Sequence, residues 1–245
     1  MPRAIFRFYQ ELNDFLPPAQ RQVAFEHEWR GTPSIKHLIE SLGVPHPEVE
    51  LILVNDRSVD WAYQPQEGNR VAVYPMFESL DITPLIRLRP QPLREVRFVL
   101  DGHLGRLAAY LRMLGFDTWY QNHADDAALA EISSNAQRIL LTRDQGLLKR
   151  SAVTHGYWVR TTAPREQLRE VITRFDLQQQ ANPFTRCLSC NGLLRSTTLN
   201  DVKNEIPENA ARFYTEFWCC ASCSKVFWQG SHYQRMTRLI EETRQ

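Results

Sequence analysis

Two short, wholly apolar runs that each lead into an aspartate constrain this chain more than any other feature. Arg97-Phe98-Val99-Leu100 ends on Asp101, and Arg138-Ile139-Leu140-Leu141-Thr142 ends on Arg143-Asp144. Each run is bounded by polar residues and followed by a helical pattern, as buried parallel strands are. In an open α/β sheet the carboxyl ends of such strands line the ligand crevice, so Asp101 and Asp144 are expected to meet there. Close carboxylates repel one another unless a cation lies between them, and hard oxygen ligands suit Mg²⁺ or Mn²⁺. The sharp expectation is a divalent-metal site for phosphodiester chemistry. The bland alternative is that either Asp merely caps the helix that follows it.

Composition permits this without demanding it. A chain of 245 residues with 43% hydrophobic and 11% aromatic content can build ordinary globular cores, as one large domain or two to three small ones. No apolar run approaches membrane-spanning length, and MPRAIFRFYQ lacks the uninterrupted apolar core of a signal peptide. The expectation is a soluble, cytoplasmic protein without a membrane partner. A net charge of +1 excludes the strongly basic signature of a general nucleic-acid binder. The charge is uneven: residues 1–80 carry 7 basic and 11 acidic side chains, 81–185 carry 14 and 11, and 186–245 carry 8 and 6. Polyanion contacts are therefore expected after residue 80.

The front of the chain, 1–80, reads as a small β-grasp unit. Ala4-Ile5-Phe6-Arg7-Phe8 alternates, and Gln22-Val23-Ala24-Phe25 follows a Pro-Pro turn as its hairpin partner. Ser34 is placed to cap a helix through Ile35, Leu38, Ile39 and Leu42 that Gly43 closes. Glu50–Val54 and Val71–Tyr74 supply two further strands. Pro84, Pro90 and Pro92 mark a linker over 81–93. Residues 94–180 alternate strand and helix, as a parallel sheet wrapped by helices does. A zinc ribbon and a terminal helix are expected over 181–245.

Both parts carry a family resemblance. Ile39-Glu40-Ser41-Leu42-Gly43-Val44-Pro45-His46 and Gly68–Pro75 resemble the ubiquitin-like, ThiS-like module found ahead of certain RNase domains. Sulfur carriers of that fold end on a free Gly-Gly, whereas this chain runs on through Met76-Phe77-Glu78, so the module reads as an interaction or scaffolding domain. Asp101-Gly102-His103-Leu104-Gly105-Arg106-Leu107-Ala108, Leu111–Asp117 and Leu141-Thr142-Arg143-Asp144 resemble the Mut-7-type C-terminal RNase domain, which is similar to PIN-domain nucleases. The resemblance implies a PIN-like fold and metal-dependent RNA cleavage, and it covers nearly all of 94–240.

Within that pattern Asp101 and Asp144 match acidic positions and are expected as metal ligands. Asp126 stands where the family has an acid opening a helix, either completing the site or capping only. Asp117 falls at the start of a strand, on the wrong edge for direct metal binding, and a supporting role is left to it. The expected chemistry is in-line attack by a metal-activated water. Arg106, Arg112 and Arg143 are candidates for phosphate oxygens, which guanidinium binds in a bidentate fork. Arg112 follows the buried Leu111 and reads equally as a surface or ion-paired residue. His103 is a weaker candidate for a general base, and Thr142 is placed to orient Asp144.

Cys187-Leu188-Ser189-Cys190 and Cys220-Ala221-Ser222-Cys223 make a CxxC…CxxC pair, the spacing of a tetrahedral Cys₄ structural zinc site of ribbon type. Two disulfides are the alternative, which a reducing cytosol disfavours. Cys219 breaks the register and reads as a free, non-ligand thiol, with a Cys219–Cys223 pairing as the alternative. Trp228, Gln229, Gly230, Ser231, His232, Tyr233 and Arg235 match the family's closing motif; they offer aromatic faces for unpaired bases, or else pack on the knuckle. Met236, Leu239 and Ile240 sit at helical spacing in the tail. The leading expectation is a ribonuclease with structural zinc and catalytic Mg or Mn, acting on RNA, with a protein partner for the ubiquitin-like module. The alternative is a non-catalytic RNA-binding adaptor. A receiver-type phosphoacceptor is disfavoured, because Gly102-His103 follows the first Asp and the late strand offers Arg160 where a Lys would be needed.

Overall fold

The structure is a computed structural model that describes residues 1–75, 88 and 95–243. Met76-Phe77-Glu78 and the proline linker, with Pro84, Pro90 and Pro92, lie outside the described residues. The chain begins with β1 (Arg3–Phe8), β2 (Phe25–Glu28), α1 (Ile35–Ser41), β3 (Leu51–Val54), β4 (Arg57–Ser58) and β5 (Arg70–Tyr74). It continues through β6 (Arg97–Leu100), α2 (Gly105–Met113), β7 (Asp117–Tyr120), α3 (Asp126–Asn135), β8 (Ile139–Thr142), α4 (Gln145–Leu148), β9 (Gly156–Trp158) and α5 (Pro164–Arg174). It closes with β10 (Leu194–Thr197), α6 (Leu199–Val202), α7 (Glu208–Phe213), β11 (Phe217–Cys220), β12 (Val226–Trp228) and α8 (Ser231–Thr243). Two compact units result, one of Met1–Glu95 with Asp126–Trp158, the other of Val96–Asp125 with Val159–Gln245. Among the described residues no helix is long and apolar enough to cross a membrane.

The first unit opens with a five-stranded sheet of order β2-β1-β5-β3-β4, in which β1 and β5 run parallel at the centre. Strict alternation along β1 turns Ala4, Phe6 and Phe8 inward, each at most 1% exposed. The second strand begins at Phe25, later than its sequence suggests, because two 3₁₀ turns, Gln10–Phe15 and Pro18–Gln20, first take up the chain. The Ser34 hydroxyl accepts from the His37 N–H at 3.3 Å and starts α1 as expected. Gly43 ends it at φ +107°, where a Cβ would lie 2.9 Å from the Phe15 carbonyl oxygen.

A third 3₁₀ turn, His46–Glu48, fastens this sheet to the 126–158 segment. The His46 ring, 7% exposed, places Nδ1 2.7 Å from Glu40 Oε1 and Nε2 2.6 Å from the Val153 carbonyl oxygen. Both partners are acceptors, and burial, with Lys36, draws the ring's pKa below its ordinary value. Lys149 Nζ donates to the Glu40 carbonyl oxygen at 3.1 Å, and the Trp158 N–H donates to the buried Glu48 carboxylate. That carboxylate covers the outer edge of β9, which pairs in parallel with β8 on its other side.

The second unit carries the parallel pair β6–β7, in register from Arg97↔Asp117 to Leu100↔Tyr120. Helices α2 and α5 cover it through the fully buried Leu107, Leu111, Leu168 and Val171, and the Phe98 ring stands edge-on to Phe116 and Phe175. Its C-terminal part is the antiparallel sheet β10-β11-β12. Two short helices without a counterpart in the sequence expectations, α6 and α7, build a small core there with Val202, Ile206, Ala210 and Phe217. Thr198 and Asp201 form a capping box on α6. The mixed α/β class holds, with a β-grasp sheet in front, parallel strands flanked by helices, and a cysteine-bearing ribbon behind.

The docking turn makes a measurable contribution. Replacing His46 with Ala leaves the Val153 carbonyl and the Glu40 carboxyl without their partner. It is expected to cost about 1–3 kcal/mol in urea unfolding followed by tryptophan fluorescence. An unchanged midpoint would remove this turn from the stabilising set.

Candidate functional site

Asp101 stands at the carboxyl end of β6, whose Phe98, Val99 and Leu100 are fully buried. Its backbone stays extended, and the chain then makes one 3₁₀ turn closed by the Leu104 N–H on the Asp101 carbonyl oxygen at 2.9 Å. Two glycines give this turn its shape. A Cβ on Gly102 would lie 2.7 Å from the Asn122 carbonyl oxygen, and one on Gly105 would lie 2.6 Å from the Tyr120 hydroxyl. That hydroxyl lies 2.9 Å from the Gly102 carbonyl oxygen and 3.0 Å from Asn122 Oδ1. Tyr120 thus wedges between the glycines of Asp-Gly-x-x-Gly and holds the aspartate's loop. Sequence reasoning missed it, although the parallel register Leu100↔Tyr120 puts it there. His103 and Arg106 are exposed on this turn and on the first turn of α2.

Asp144 and Asp126 belong to the other unit. Asp144 is the N-cap of α4: its Oδ1 accepts from the Gly146 N–H at 2.7 Å, and its own N–H donates to Thr142 Oγ1 at 2.9 Å. The cap expected as the bland alternative is real, and Thr142, fully buried, fixes the backbone that carries it. Asp126 is the first residue of α3, and its carboxylate lies 3.8 Å from Arg150 Nη2. Arg143 is exposed, and its carbonyl oxygen accepts from the Trp158 indole N–H at 3.2 Å.

The four cysteines come together. Their sulfur atoms all lie within 4.8 Å of one another, with Cys187–Cys223 at 3.7 Å and Cys190–Cys220 at 3.4 Å. Zinc–sulfur bonds of 2.3 Å in a tetrahedron put sulfurs about 3.8 Å apart, so the donor set fits zinc. None of the five cysteines is bridged, and all four knuckle sulfurs converge on one point, as a single metal site requires. The two knuckles repeat one geometry. Cys187 N–H donates to the Gly192 carbonyl oxygen and Cys220 N–H to that of Lys225, while Asn191 (φ +72°) and Ser224 (φ +59°) make the same left-handed step. That repeat assigns Cys220 and leaves Cys219 outside, its thiol directed at the Ser224 carbonyl oxygen. Among the described residues no other group of three or more His, Cys, Asp or Glu side chains is gathered this closely.

Crowded sulfurs cannot all ionise without a cation. Burial pushes the Cys187 thiol up. Cys190 is pushed up to about 12, where burial and the neighbouring sulfurs outweigh the Gly192 N–H. Cys220 is brought down to about 7, because the Cys223 and Ser222 N–H groups outweigh burial. The set titrates as a unit, and a zinc ion would deprotonate it outright.

Arg112 ties this centre to the parallel strands. It is 4% exposed; its Nε donates to the Thr118 carbonyl oxygen at 2.9 Å, and its Nη1 to those of Leu188 at 3.1 Å and Ser189 at 2.9 Å. Burial lowers its pKa, and the Cys187 and Cys190 sulfurs and Asp117 oppose the shift, so the guanidinium keeps its charge beside the knuckle sulfurs. Asn191 completes the join: its Oδ1 accepts from the Thr118 N–H at 3.0 Å, and its Nδ2 donates to Asp117 Oδ1 at 2.8 Å. Arg186 donates to the Gly115 and Asn191 carbonyl oxygens and lies 3.7 Å from Asp117. The supporting role left open for Asp117 is therefore structural.

Two measurements check this geometry. Zinc binding to metal-free chain at pH 7 is expected to release about three to four protons, seen as a dependence of calorimetric heat on buffer ionisation enthalpy, and to weaken as pH falls. Release of one proton or none would contradict a Cys₄ site. Arg112→Met, which leaves the Thr118, Leu188 and Ser189 carbonyls without this donor, is expected to cost about 2–4 kcal/mol on unfolding and to speed zinc loss to chelator. A stable variant with unchanged zinc retention would contradict the join.

The family model described as the Mut7-C RNAse domain matches residues 96–240, and that described as Mut7-C ubiquitin matches residues 1–81. No curated protein and no solved structure matches the chain. With an Asp-bearing strand end, a four-cysteine ribbon and a β-grasp module in the order of those two models, the chain belongs to the Mut7-C RNAse domain family.

Proposed function

We propose that the chain is a metal-dependent ribonuclease that hydrolyses RNA phosphodiester bonds, with Asp101, Asp126 and Asp144 as its catalytic acids. The observation that carries this is the family match over 96–240, which spans two aspartates standing just beyond the carboxyl ends of parallel strands. Oxygen-only donors suit Mg²⁺ or Mn²⁺, which when bound would activate water and neutralise phosphate. The chain's own residues do the positioning. Tyr120 and the two glycines hold the Asp101 loop, and the cap bond on Oδ1 sets the direction of the Asp144 carboxylate. Arg106 and Arg143 are exposed and are assigned to phosphate oxygens, whereas Arg112 is assigned to the knuckle because its guanidinium is already held by three carbonyls. Zinc in the Cys187, Cys190, Cys220 and Cys223 site is structural, since a closed Cys₄ set leaves no open position. Free thiols suit a reducing compartment, here read as the cytoplasm.

A non-catalytic RNA-binding adaptor is the second possibility. One observation favours it: Asp126 and Asp144 each already have a partner, Arg150 and the Gly146 N–H. In either case a protein partner of the ubiquitin-like module would use surface away from His46–Glu48, which the chain's own 149–158 segment covers.

Cleavage of single-stranded and structured RNAs by zinc-loaded protein decides between them. Wild type is expected to cleave only with added Mn²⁺ or Mg²⁺, and the Asp101→Asn/Asp144→Asn variant to be at least about a hundredfold slower. Equal rates for the two proteins, or no cleavage by wild type, would leave the adaptor.

A further inference from the structure

The second unit holds a cavity of about 340 Å³ between the outer face of the ribbon sheet and the terminal helix α8. Its walls are aromatic and come from separate elements: Phe184 from the segment before the first knuckle, Trp218 and Phe227 from adjacent strands, Trp228 at the strand end, and Tyr233 and Met236 from α8. We propose that this cavity holds one unpaired nucleobase of a single-stranded RNA, a subsite apart from the carboxylates. The identity of the ligand as RNA rests on the function proposed above.

Three observations point to this occupant. The first is size and shape, since a few hundred cubic ångströms walled by flat rings matches a base rather than a chain segment. The second is chemical. Among the described residues neither the Trp218 indole N–H nor the Tyr233 hydroxyl has a hydrogen-bond partner, whereas Trp228 packs with the small core of Val202, Ile206, Ala210 and Phe217. Two unpartnered donors among the residues of a largely apolar wall suit a ligand that both stacks and accepts hydrogen bonds, which an apolar side chain does not. The third is backbone strain. Phe184 is held at φ +62°, a conformation costly for a bulky residue, and this sets its ring 4.5 Å from that of Tyr233 in the cavity wall.

Charge complements the strand's phosphates. Arg186 lines the cavity, but its guanidinium is taken by the Gly115 and Asn191 carbonyl oxygens and by Asp117 at 3.7 Å, so it shapes the wall and leaves the phosphate to another cation. Lys225, the residue before β12, is exposed, with its ammonium 3.0 Å from the Ser189 hydroxyl, and is the cation assigned to a phosphate. Base on aromatic with a cation beside it is the arrangement by which single strands are held without sequence preference.

The test uses the full, zinc-loaded chain without Mg²⁺ or Mn²⁺, so that binding is read apart from cleavage. The probe is a short single-stranded RNA carrying 2-aminopurine, compared with the same strand made abasic at that position. Stacking is expected to quench the 2-aminopurine, and removing the base to weaken binding by about five- to a hundredfold. Tyr233→Ala should abolish the quench, and Trp218→Phe, which keeps a ring and loses the indole N–H, should weaken binding while zinc content stays constant. Equal affinity for the two strands without quenching would overturn the subsite and leave the cavity to an apolar protein segment. If wild type cleaves RNA while these variants bind unchanged, the subsite fails and the nuclease stands. If the base is bound and quenched but nothing is ever cleaved, the subsite stands and the nuclease fails.

Discussion

One buried guanidinium holds the ribbon and the parallel strands in register. Arg112 leaves helix α2 and spends its donors on one carbonyl of β7 and two of the first knuckle, so neither can shift without leaving a buried polar group unpaired. The charge it brings is matched by sulfur. A zinc ion bound by four thiolates would carry excess negative charge, and the guanidinium would offset it from within the protein. Asn191 extends the same join by pairing with Asp117 and Thr118 at the start of β7. The far end of that strand carries Tyr120, which holds the loop of Asp101. The four-cysteine knuckle thereby reaches the candidate catalytic residue through one strand of four residues.

The front module is joined to its neighbour by the same kind of chemistry. The turn His46–Glu48 offers a ring and a carboxylate to the Val153 carbonyl and the Trp158 N–H, groups that an additional strand or water would otherwise satisfy. The ring of Phe15 packs 5.1 Å from that of Trp158 beside it. A module that presents this face to its own chain is a fixed part of the protein's first unit, which limits where any partner of its own can dock.

What sequence carried was local or periodic. The apolar runs of β6 and β8, the Ser34 cap, the helix stripes and the CxxC pairs are each set by neighbours within a few residues, and they were legible with small errors at element ends. The late start of β2 is one such error, since 3₁₀ turns have no strong periodic signal. What stayed hidden depends on distant partners. Arg112 meets residues 76 and 77 positions away, and His46 one 107 positions away; no pattern in a single sequence announces such pairs. Asp144 shows the limit from the other side. Its position announces both a cap and an acid, and the structure assigns the cap while its second oxygen retains its chemistry.

The account stands on the carboxylates holding a hard divalent cation, and Mn²⁺ binding reads this without any assumption about substrate. Electron paramagnetic resonance of free Mn²⁺, titrated against zinc-loaded chain, counts the ions bound. The account predicts saturable binding by wild type that is lost in both Asp101→Asn and Asp144→Asn while zinc content is unchanged. Saturable binding that survives both substitutions, or no binding to wild type, would contradict it.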